Sequence, residues 1–131
     1  MERIVIDTSA LIAAILDEPE KARLVELTEG ASLLAPYSLH WEIGNAFSAM
    51  FKKGSISPKN AQAALRIYET IPIQFLEVDL GRSLEIAYRR RIYAYDAYMI
   101  ASTLTHKVPL LTLDNTLKRH AKACGTSLLE I

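Results

Sequence analysis

Short apolar runs alternate with longer, helix-forming segments from the beginning of the chain to its end. The first run, Arg3 to Ile6, is rich in β-branched residues, as is typical of a strand buried on both faces of a parallel sheet. Four similar runs predict the remaining strands at Leu33 to Ala35, Ile73 to Val78, Val108 to Thr112 and, at the edge, Ser127 to Ile131. Parallel strands need crossover connections, so the alternation predicts a three-layer α/β fold in which helices flank a mainly parallel central sheet.

Helix-capping and helix-ending residues divide the segments between these strands. Thr8 and Ser9 can cap the first helix, while Gly54 and Gly125 favour the ends of two later ones. The predicted helices are Ala10 to Leu16, Pro19 to Glu29, Ser38 to Lys53, Pro58 to Thr70, Leu80 to Arg91, Ala97 to Thr105 and Asp114 to Ala123.

The size and charge of the chain restrict its class. With 131 residues, of which 50% are apolar, it can bury the core of one ordinary domain. We therefore interpret residues 1–131 as a single domain. Lys and Arg number 15, and so do Asp and Glu, so no overall positive field exists to bind nucleic acid or a membrane surface indiscriminately.

Cysteine and histidine are too scarce to build a site of their own. Cys124 is the only cysteine and the 3 histidines are scattered, which excludes a disulfide framework and a Cys/His zinc site. Oxygen atoms are therefore the expected ligands of any metal. The apolar run Ala10 to Leu16 ends in acidic residues instead of a small-residue cleavage site, and nothing approaches the roughly 18 apolar residues of a membrane span. We expect a soluble, cytoplasmic protein.

Four acidic residues lie where ligands bind in folds of this kind. Asp7 directly follows the first strand, and Asp114 comes two residues after the strand that ends at Thr112. Glu42 and Asp96 lie on helices that can lean over the same edge, and ligands of open parallel sheets bind beyond the carboxyl ends of the strands. Taken singly, Asp96 and Asp114 can instead be helix N-caps, and Glu42 can belong to a solvated helix edge.

Four short motifs surround these acids in order along the chain. They are V-I-D-T-S-A-L at 5–11, E-I-G-N at 42–45, Y-D-A-Y-M-I-A at 95–101 and T-L-D-N-T-L at 112–117. Together they resemble the signature of PIN domains, and the resemblance extends from Ile4 to Leu117. The compact form of the chain is similar to the VapC toxins of bacterial and archaeal toxin–antitoxin pairs.

The resemblance implies a fold, an activity and partners. It implies that residues 1–131 form one PIN-like nuclease domain. The expected activity is that of a metal-dependent endoribonuclease, which hydrolyses the phosphodiester bonds of RNA. Such toxins are usually homodimers and are inhibited by a cognate antitoxin protein. The resemblance does not identify the RNA, the cleavage position or the antitoxin.

The same resemblance assigns roles to individual residues. It makes the four acids the catalytic residues and the ligands of Mg²⁺ or Mn²⁺, namely Asp7, Glu42, Asp96 and Asp114. It also implies that Ser9, Asn45 and Thr112 orient these ligands or a water molecule. The alternatives are a helix cap for Ser9 and a buried strand residue for Thr112. Some PIN domains carry a further acid shortly after Asp114, where this chain has Asn115, so the number of ions stays open.

Electrostatics supports the metal assignment independently. If the carboxylates approach to about 6 Å, each like-charged pair costs on the order of 2 to 3 kcal/mol at an effective dielectric constant near 20. Such a cluster cannot stay fully ionised without help, whereas a divalent cation reverses the sign of the interaction. An all-oxygen shell suits hard ions such as Mg²⁺ or Mn²⁺.

Cations and aromatic residues precede Asp96 and are candidates for RNA binding. Phosphate contacts and base stacking suit the side chains of Arg89, Arg90, Arg91, Tyr93 and Tyr95. The alternative is structural, because basic residues at a helix C-terminus favour its dipole and tyrosines commonly fill cores.

Two other functions compete with the nuclease interpretation. A phosphatase or phosphotransferase could use Asp7 as its nucleophile, but such enzymes normally carry a second Asp two residues later, where this chain has Ser9. A non-catalytic PIN-like domain could bind RNA or protein without cleaving it. Intact acids at all four positions argue against that alternative, because clustered charge is costly to keep.

Overall fold

The computed structural model describes residues 2–131. Its strands are β1 (Arg3–Ile6), β2 (Ser32–Pro36), β3 (Ile73–Leu76) and β4 (Leu110–Leu111). They form one sheet in the order β3-β2-β1-β4, and every pairing among them is parallel. The mainly parallel sheet predicted from the sequence is confirmed.

Helices connect successive strands and flank the sheet in a three-layer α/β arrangement. Across residues 2–131 they are α1 (Thr8–Ile15), α2 (Lys21–Thr28), α3 (Leu39–Lys53), α4 (Pro58–Thr70), α5 (Leu80–Arg90), α6 (Ala94–His106) and α7 (Asn115–Ala123). Helix α6 packs against β1, β2 and β4, and α5 packs on α6. Helix α1 packs against α2, α3 and α4. None of these helices is long and apolar enough to cross a bilayer.

Two helices begin earlier than the sequence pattern predicts, and both differences affect the acidic residues. Helix α1 begins at Thr8 because Asp7, and neither Thr8 nor Ser9, is its N-cap: an Oδ1 atom of Asp7 accepts the N–H of Ala10 at 3.1 Å. Helix α6 begins at Ala94, so Asp96 lies in its first turn instead of at the N-cap. The capping alternative for Asp96 is therefore wrong.

The C-terminal strand predicted at 127–131 is reduced to a single bridge between Leu110 and Leu128. The N–H of Leu110 donates to the carbonyl of Ser127 at 2.9 Å, and the N–H of Leu129 donates to the carbonyl of Leu110 at 3.0 Å. Strand β4 has only 2 residues, so it can form too few backbone hydrogen bonds to pair with a full strand on its outer side.

The topology sets where the site forms. The chain adds β2 and β3 on one side of β1 and then crosses to place β4 on the other side. The strand order therefore reverses between β1 and β4, and this is the position where ligands bind in open parallel sheets. Ile6 pairs with Leu111, so the residues that follow these two strands leave the sheet side by side.

The core fixes this edge rigidly. Ile4, Val5, Leu110 and Leu111 are each 0% exposed, as expected for strands covered on both faces. One contiguous cluster of buried apolar side chains includes these strands and the inward faces of the helices. Close packing of this kind holds the strand ends in fixed relative positions.

Candidate active site

One cavity at the carboxyl edge of the sheet collects the four predicted acids. It has a volume of about 410 Å³, and its walls include Asp7, Glu42, Asp96 and Asp114. The acids come from the end of β1, from α3, from the first turn of α6 and from the residue before α7. The fold therefore brings together side chains that are far apart in the sequence.

Asp7 is the most buried of these acids, with 6% of its surface exposed. Its Oδ1 atom accepts the hydroxyl of Ser9 at 2.7 Å and the N–H of Ala10 at 3.1 Å. Its Oδ2 atom accepts the hydroxyl of Thr112 at 2.6 Å. Burial raises the pKa of Asp7 above its ordinary value, and these hydrogen bonds offset only part of the rise.

Two hydroxyl groups tie the ends of β1 and β4 together around Asp7. Besides donating to Asp7, the hydroxyl of Ser9 accepts the N–H of Leu113 at 2.9 Å. The hydroxyl of Thr112 likewise donates to Asp7 and accepts the N–H of Asp114 at 3.0 Å. Ser9 thus contacts Asp7 instead of capping a helix. The hydroxyl of Thr112 bonds to the backbone on one side and to the carboxylate on the other.

Glu42 projects into the cavity from the first turn of α3. Its Oε2 atom accepts the hydroxyl of Ser38, one turn earlier, at 3.0 Å. Burial is the main cause that raises the pKa of Glu42 to about 7; the negative charges of Asp7 and Asp96 contribute to this rise, and the hydrogen bond from Ser38 opposes it. A solvated helix edge would not produce such a shift, so Glu42 belongs to the cavity.

Asp96 and Asp114 complete the acidic wall. Burial raises the pKa of Asp96, and the charge of Asp114 adds to the rise while His120 lowers it in part. Asp114 is the N-cap of α7, because its Oδ1 atom accepts the N–H groups of Thr116 at 2.9 Å and Leu117 at 3.1 Å. Both capping bonds go to Oδ1, so Oδ2 takes no part in the capping. Asp114 thus caps a helix and lines the cavity at the same time.

A model of the PIN-domain family matches residues 4–123 of the chain. The chain belongs to the PIN-domain family. The matched range contains all four acids and, apart from Arg3 at the start of β1, every strand of the sheet. A search of curated protein sequences gave no match to this PIN domain.

Solved structures share the fold of this PIN domain. The crystal structure of PAE2754 from Pyrobaculum aerophilum superposes with a TM-score of 0.71 at 22% identity, covering 97% of this chain and 90% of that one. VapBC2 from Rickettsia felis, bound to a DNA fragment from its promoter, gives a TM-score of 0.68 at 14% identity, covering 97% of both chains. VapC20 from Mycobacterium tuberculosis, a toxin that cleaves the sarcin–ricin loop, gives a TM-score of 0.62 at 13% identity, covering 98% of both chains. At these identities the likeness concerns the fold.

Sequence reasoning missed two polar residues of the cavity wall, Thr8 and Glu18. The hydroxyl of Thr8 is buried and has no hydrogen-bond partner within residues 2–131. Glu18 comes from the turn after α1, directly after Asp17, whose φ of 56° lies in the left-handed region. The motif V-I-D-T-S-A-L includes Thr8, but no local pattern indicates that the α1–α2 turn folds back over the acids.

Asn45 lies outside the cavity. Its side chain is exposed on α3, and Ala46 lines the cavity in its place. The helical period explains the difference, because residue i+4 is rotated by about 40° from residue i, whereas i+3 is rotated by about 60° the other way. The face that carries Glu42 toward the cavity therefore continues at Ala46.

The basic and aromatic candidates also lie outside the acidic cavity. Tyr93 and Tyr95 are 89% and 46% exposed, so the alternative that they fill the core is wrong. Arg89 and Arg91 are exposed at the end of α5, where Arg91 takes a left-handed conformation with a φ of 54°. Arg90 is partly buried, and its Nε donates to Nδ1 of His120 at 3.1 Å. The last turn of α5 also contains basic residues, whose positive charge interacts favourably with the helix dipole.

The acids fit a hard divalent cation by their chemistry. Every donor is a carboxylate or hydroxyl oxygen, and the pKa values of Asp7, Glu42 and Asp96 are raised mainly by burial. Repulsion among the acids adds to each rise, so a cation that replaces the bound protons would relieve it. No group of three or more Asp, Glu, His or Cys side chains in residues 2–131 is already arranged around a common point as a finished metal site. Hydrogen bonds hold Asp7, Glu42 and Asp114 in their present orientations.

Proposed function

We propose that this PIN domain is a divalent-metal-dependent endoribonuclease that hydrolyses phosphodiester bonds of RNA and serves as the toxin of a VapBC-type toxin–antitoxin pair. The observation that carries the proposal is the convergence of four acids on one cavity at the switch point of the sheet. Membership of the PIN-domain family and the fold shared with VapC20 support it.

The four acids would hold Mg²⁺ or Mn²⁺, and they are Asp7, Glu42, Asp96 and Asp114. When bound, such an ion makes a water molecule more acidic and neutralises the negative charge that develops on phosphate oxygens. The chain itself supplies orientation. Ser9 and Thr112 fix the two oxygens of Asp7, and the backbone N–H of Asp114 is fixed by the same Thr112 hydroxyl.

The carboxylate of Glu42 can exchange a proton near neutral pH. Because its pKa is raised to about 7, this carboxyl group is partly protonated near neutral pH when no ion is bound. Cation binding requires the ionised carboxylate, so loading the site releases the proton. Metal affinity should therefore increase as the pH rises through this range.

Partners and assembly follow from the same proposal. We infer that a cognate antitoxin protein binds this domain, that RNA is its substrate, and that the domain works as a homodimer in the cytoplasm. The fold shared with VapBC2, which is bound to a DNA fragment from its promoter, and with the toxin VapC20 supports a toxin–antitoxin role. A neighbouring gene for a small DNA-binding protein, whose product co-purifies with this chain, would support the antitoxin.

The test compares two Asp→Asn variants that differ in their relation to the cavity. Asp7 and Asp79 are both helix N-caps, but Asp79 is exposed at the start of α5 and is not part of the cavity wall. Asn preserves an N-cap, so neither variant should lose its helix. Purified wild type, Asp7→Asn and Asp79→Asn are incubated with mixed RNA and with p-nitrophenyl phosphate, adding Mn²⁺, Mg²⁺ or chelator.

We expect wild type and Asp79→Asn to fragment RNA only with the metal, and Asp7→Asn to leave it intact. Sequencing the fragment ends then identifies the cleavage position. Turnover of p-nitrophenyl phosphate without RNA fragments would instead establish a phosphatase. RNA that is bound but not cut by any variant in any metal would establish a non-catalytic domain and refute the proposal.

A further inference from the structure

A second cavity lies between α5, α6 and α7, away from the acids. We call it the arginine groove; its volume is about 560 Å³ and its walls include Arg82, Glu85, Arg89, Arg90, Leu104 and Cys124. Three of these side chains are guanidinium groups, and they all come from α5. The groove combines a cationic rim with apolar side chains.

The arginines are ordered along one stripe of α5. Arg82 and Arg89 are seven residues apart, which places them two helical turns and about 10 Å apart on the same face. The Nη1 atom of Arg82 donates to the hydroxyl of Thr105 at 3.2 Å, and Nε of Arg90 donates to Nδ1 of His120 at 3.1 Å. Each of these bonds uses one donor of a guanidinium that has five, so most of the donors stay free for a ligand.

The protein neutralises only part of the positive charge of the groove. The ion pairs found in residues 2–131 are Lys21 with Asp17 and Arg23 with Glu26, and both lie near α2. Glu85 is the single carboxylate in the wall of the groove, against three guanidinium groups. Planar guanidinium groups with free donors match the oxygens of phosphate, because they can form two parallel hydrogen bonds.

The groove is connected to the acidic cavity through one side chain. His120 accepts a hydrogen bond from Arg90 in the groove, and its imidazole also lies near Asp96 of the acidic cavity. Helix α7, which carries His120, begins directly after Asp114. A strand that leaves the acids along α7 therefore reaches the arginines.

We propose that the arginine groove binds the phosphate backbone of single-stranded RNA, next to the segment that is held at the acids. This inference rests on the proposed nuclease function for the identity of the ligand, and it deepens that function. Arg82 and Arg89 are far enough apart to contact different phosphates of one strand. The apolar side chains between them suit the faces of riboses or bases.

The experiment measures binding without cleavage. A labelled 2′-O-methyl oligoribonucleotide of about 16 nucleotides is titrated in chelator and followed by fluorescence anisotropy at several salt concentrations. The groove variant is Arg82→Ala/Arg89→Ala. The control, Lys59→Ala/Arg66→Ala, removes the same charge from exposed positions on α4. Thermal unfolding of each protein verifies that the fold is kept.

We expect the groove variant to bind on the order of tenfold more weakly than the control, and its slope of log affinity against log salt to fall by about 1.4, as for two lost single-strand phosphate contacts. Arg82→Lys/Arg89→Lys should recover most of the slope, because it restores the charge. Equal affinities and slopes for groove variant and control would overturn the proposal. So would tighter, Arg82- and Arg89-dependent binding of a poly-glutamate peptide, which would make the groove a site for an acidic protein.

The binding result and the cleavage result can fail separately. If the wild type never cuts RNA but the groove variant still loses affinity and slope, the nuclease function fails and the groove stands. If the wild type cuts RNA in a metal-dependent way and the groove variant binds like the control, the nuclease function stands and the groove proposal fails.

Discussion

The hydroxyl of Thr112 donates to Oδ2 of Asp7 across 2.6 Å, although 105 residues separate them in the chain. The same hydroxyl oxygen accepts the backbone N–H of Asp114 at 3.0 Å. One buried side chain, 1% exposed, therefore orients the carboxylate of Asp7 and fixes the backbone of Asp114 at two neighbouring strand ends. Hydrogen bonds of this kind to carboxylates are how proteins position the ligands of a metal.

Replacing Thr112 should separate this orienting role from simple packing. Thr112→Val keeps the shape but removes both hydrogen bonds, leaving an oxygen of Asp7 and the N–H of Asp114 without partners. We expect the free energy of unfolding to fall by about 1 to 3 kcal/mol, and metal-dependent RNA cleavage to fall by at least about tenfold. Urea denaturation and initial rates measure the two effects. Thr112→Ser restores the hydroxyl and should recover most of the stability and most of the cleavage rate. Equal losses in Thr112→Val and Thr112→Ser would contradict the prediction.

The raised pKa of Glu42 predicts an unusual dependence of stability on pH. Burial and the charges of Asp7 and Asp96 raise this pKa from 4.5 to about 7, so the folded protein holds the proton more tightly than the unfolded chain. In chelator, the stabilisation from this proton is complete below about pH 4.5 and is lost as the pH rises through about 7. Urea denaturation between these limits should show stability declining with pH.

Glu42→Gln provides the check on that assignment, because an amide cannot titrate. The variant should show a shallower decline between pH 4.5 and pH 7, while Asp7 and Asp96, whose pKa values are also raised, keep part of it. Saturating Mn²⁺ should abolish the decline in the wild type, since the cation stabilises the ionised acids. An identical pH profile in wild type and Glu42→Gln would show that another group is responsible.

The strand ends were the part of the site that the sequence could predict. Asp7 follows a β-branched apolar run and Asp114 follows another, and the carboxyl ends of parallel strands share one edge of the sheet. A helical pattern predicts which face of a helix is buried, but not the angle between the helix and the sheet. The motifs around Glu42 and Asp96 were therefore needed to predict that these acids lie near that edge. The exact start of α6, on which the orientation of Asp96 depends, was missed by three residues.

Three further residues were not placed correctly from the sequence, for different physical reasons. Glu18 reaches the cavity because the turn after α1 folds back, with Asp17 in a left-handed conformation. Arg82 lies on the same face of α5 as Arg89, seven residues later, but the sequence drew attention only to the adjacent arginines; the groove beside them forms because α5 packs on α6. Asn45 was expected on the face of Glu42, but the helical period carries that face to Ala46.

The unpaired hydroxyl of Thr8 leads to a prediction opposite in sign to that for Thr112. It is buried at the first position of α1 without a partner in residues 2–131, so Thr8→Val removes an unsatisfied polar group. We expect the free energy of unfolding in chelator to stay the same or rise by about 1 kcal/mol. RNA cleavage should nevertheless fall, because the hydroxyl lines the acidic cavity. A loss of stability as large as that of Thr112→Val would show that Thr8 has a partner.

Glu18 places a fifth carboxylate on the wall of the cavity, in a chain that has Asn115 where some PIN domains carry a further acid. Glu18 is exposed, so its attraction for a cation is screened by water, and we expect Glu18→Gln to weaken Mn²⁺ binding by about fivefold or less. Asp7→Asn, at the buried end of the same cavity, should weaken it far more. Titration of Mn²⁺ against the thermal unfolding midpoint measures both effects. The matched control is Glu20→Gln, which removes the same charge two residues away but outside the cavity wall, and an equal effect of the two Gln variants would exclude Glu18 from the site.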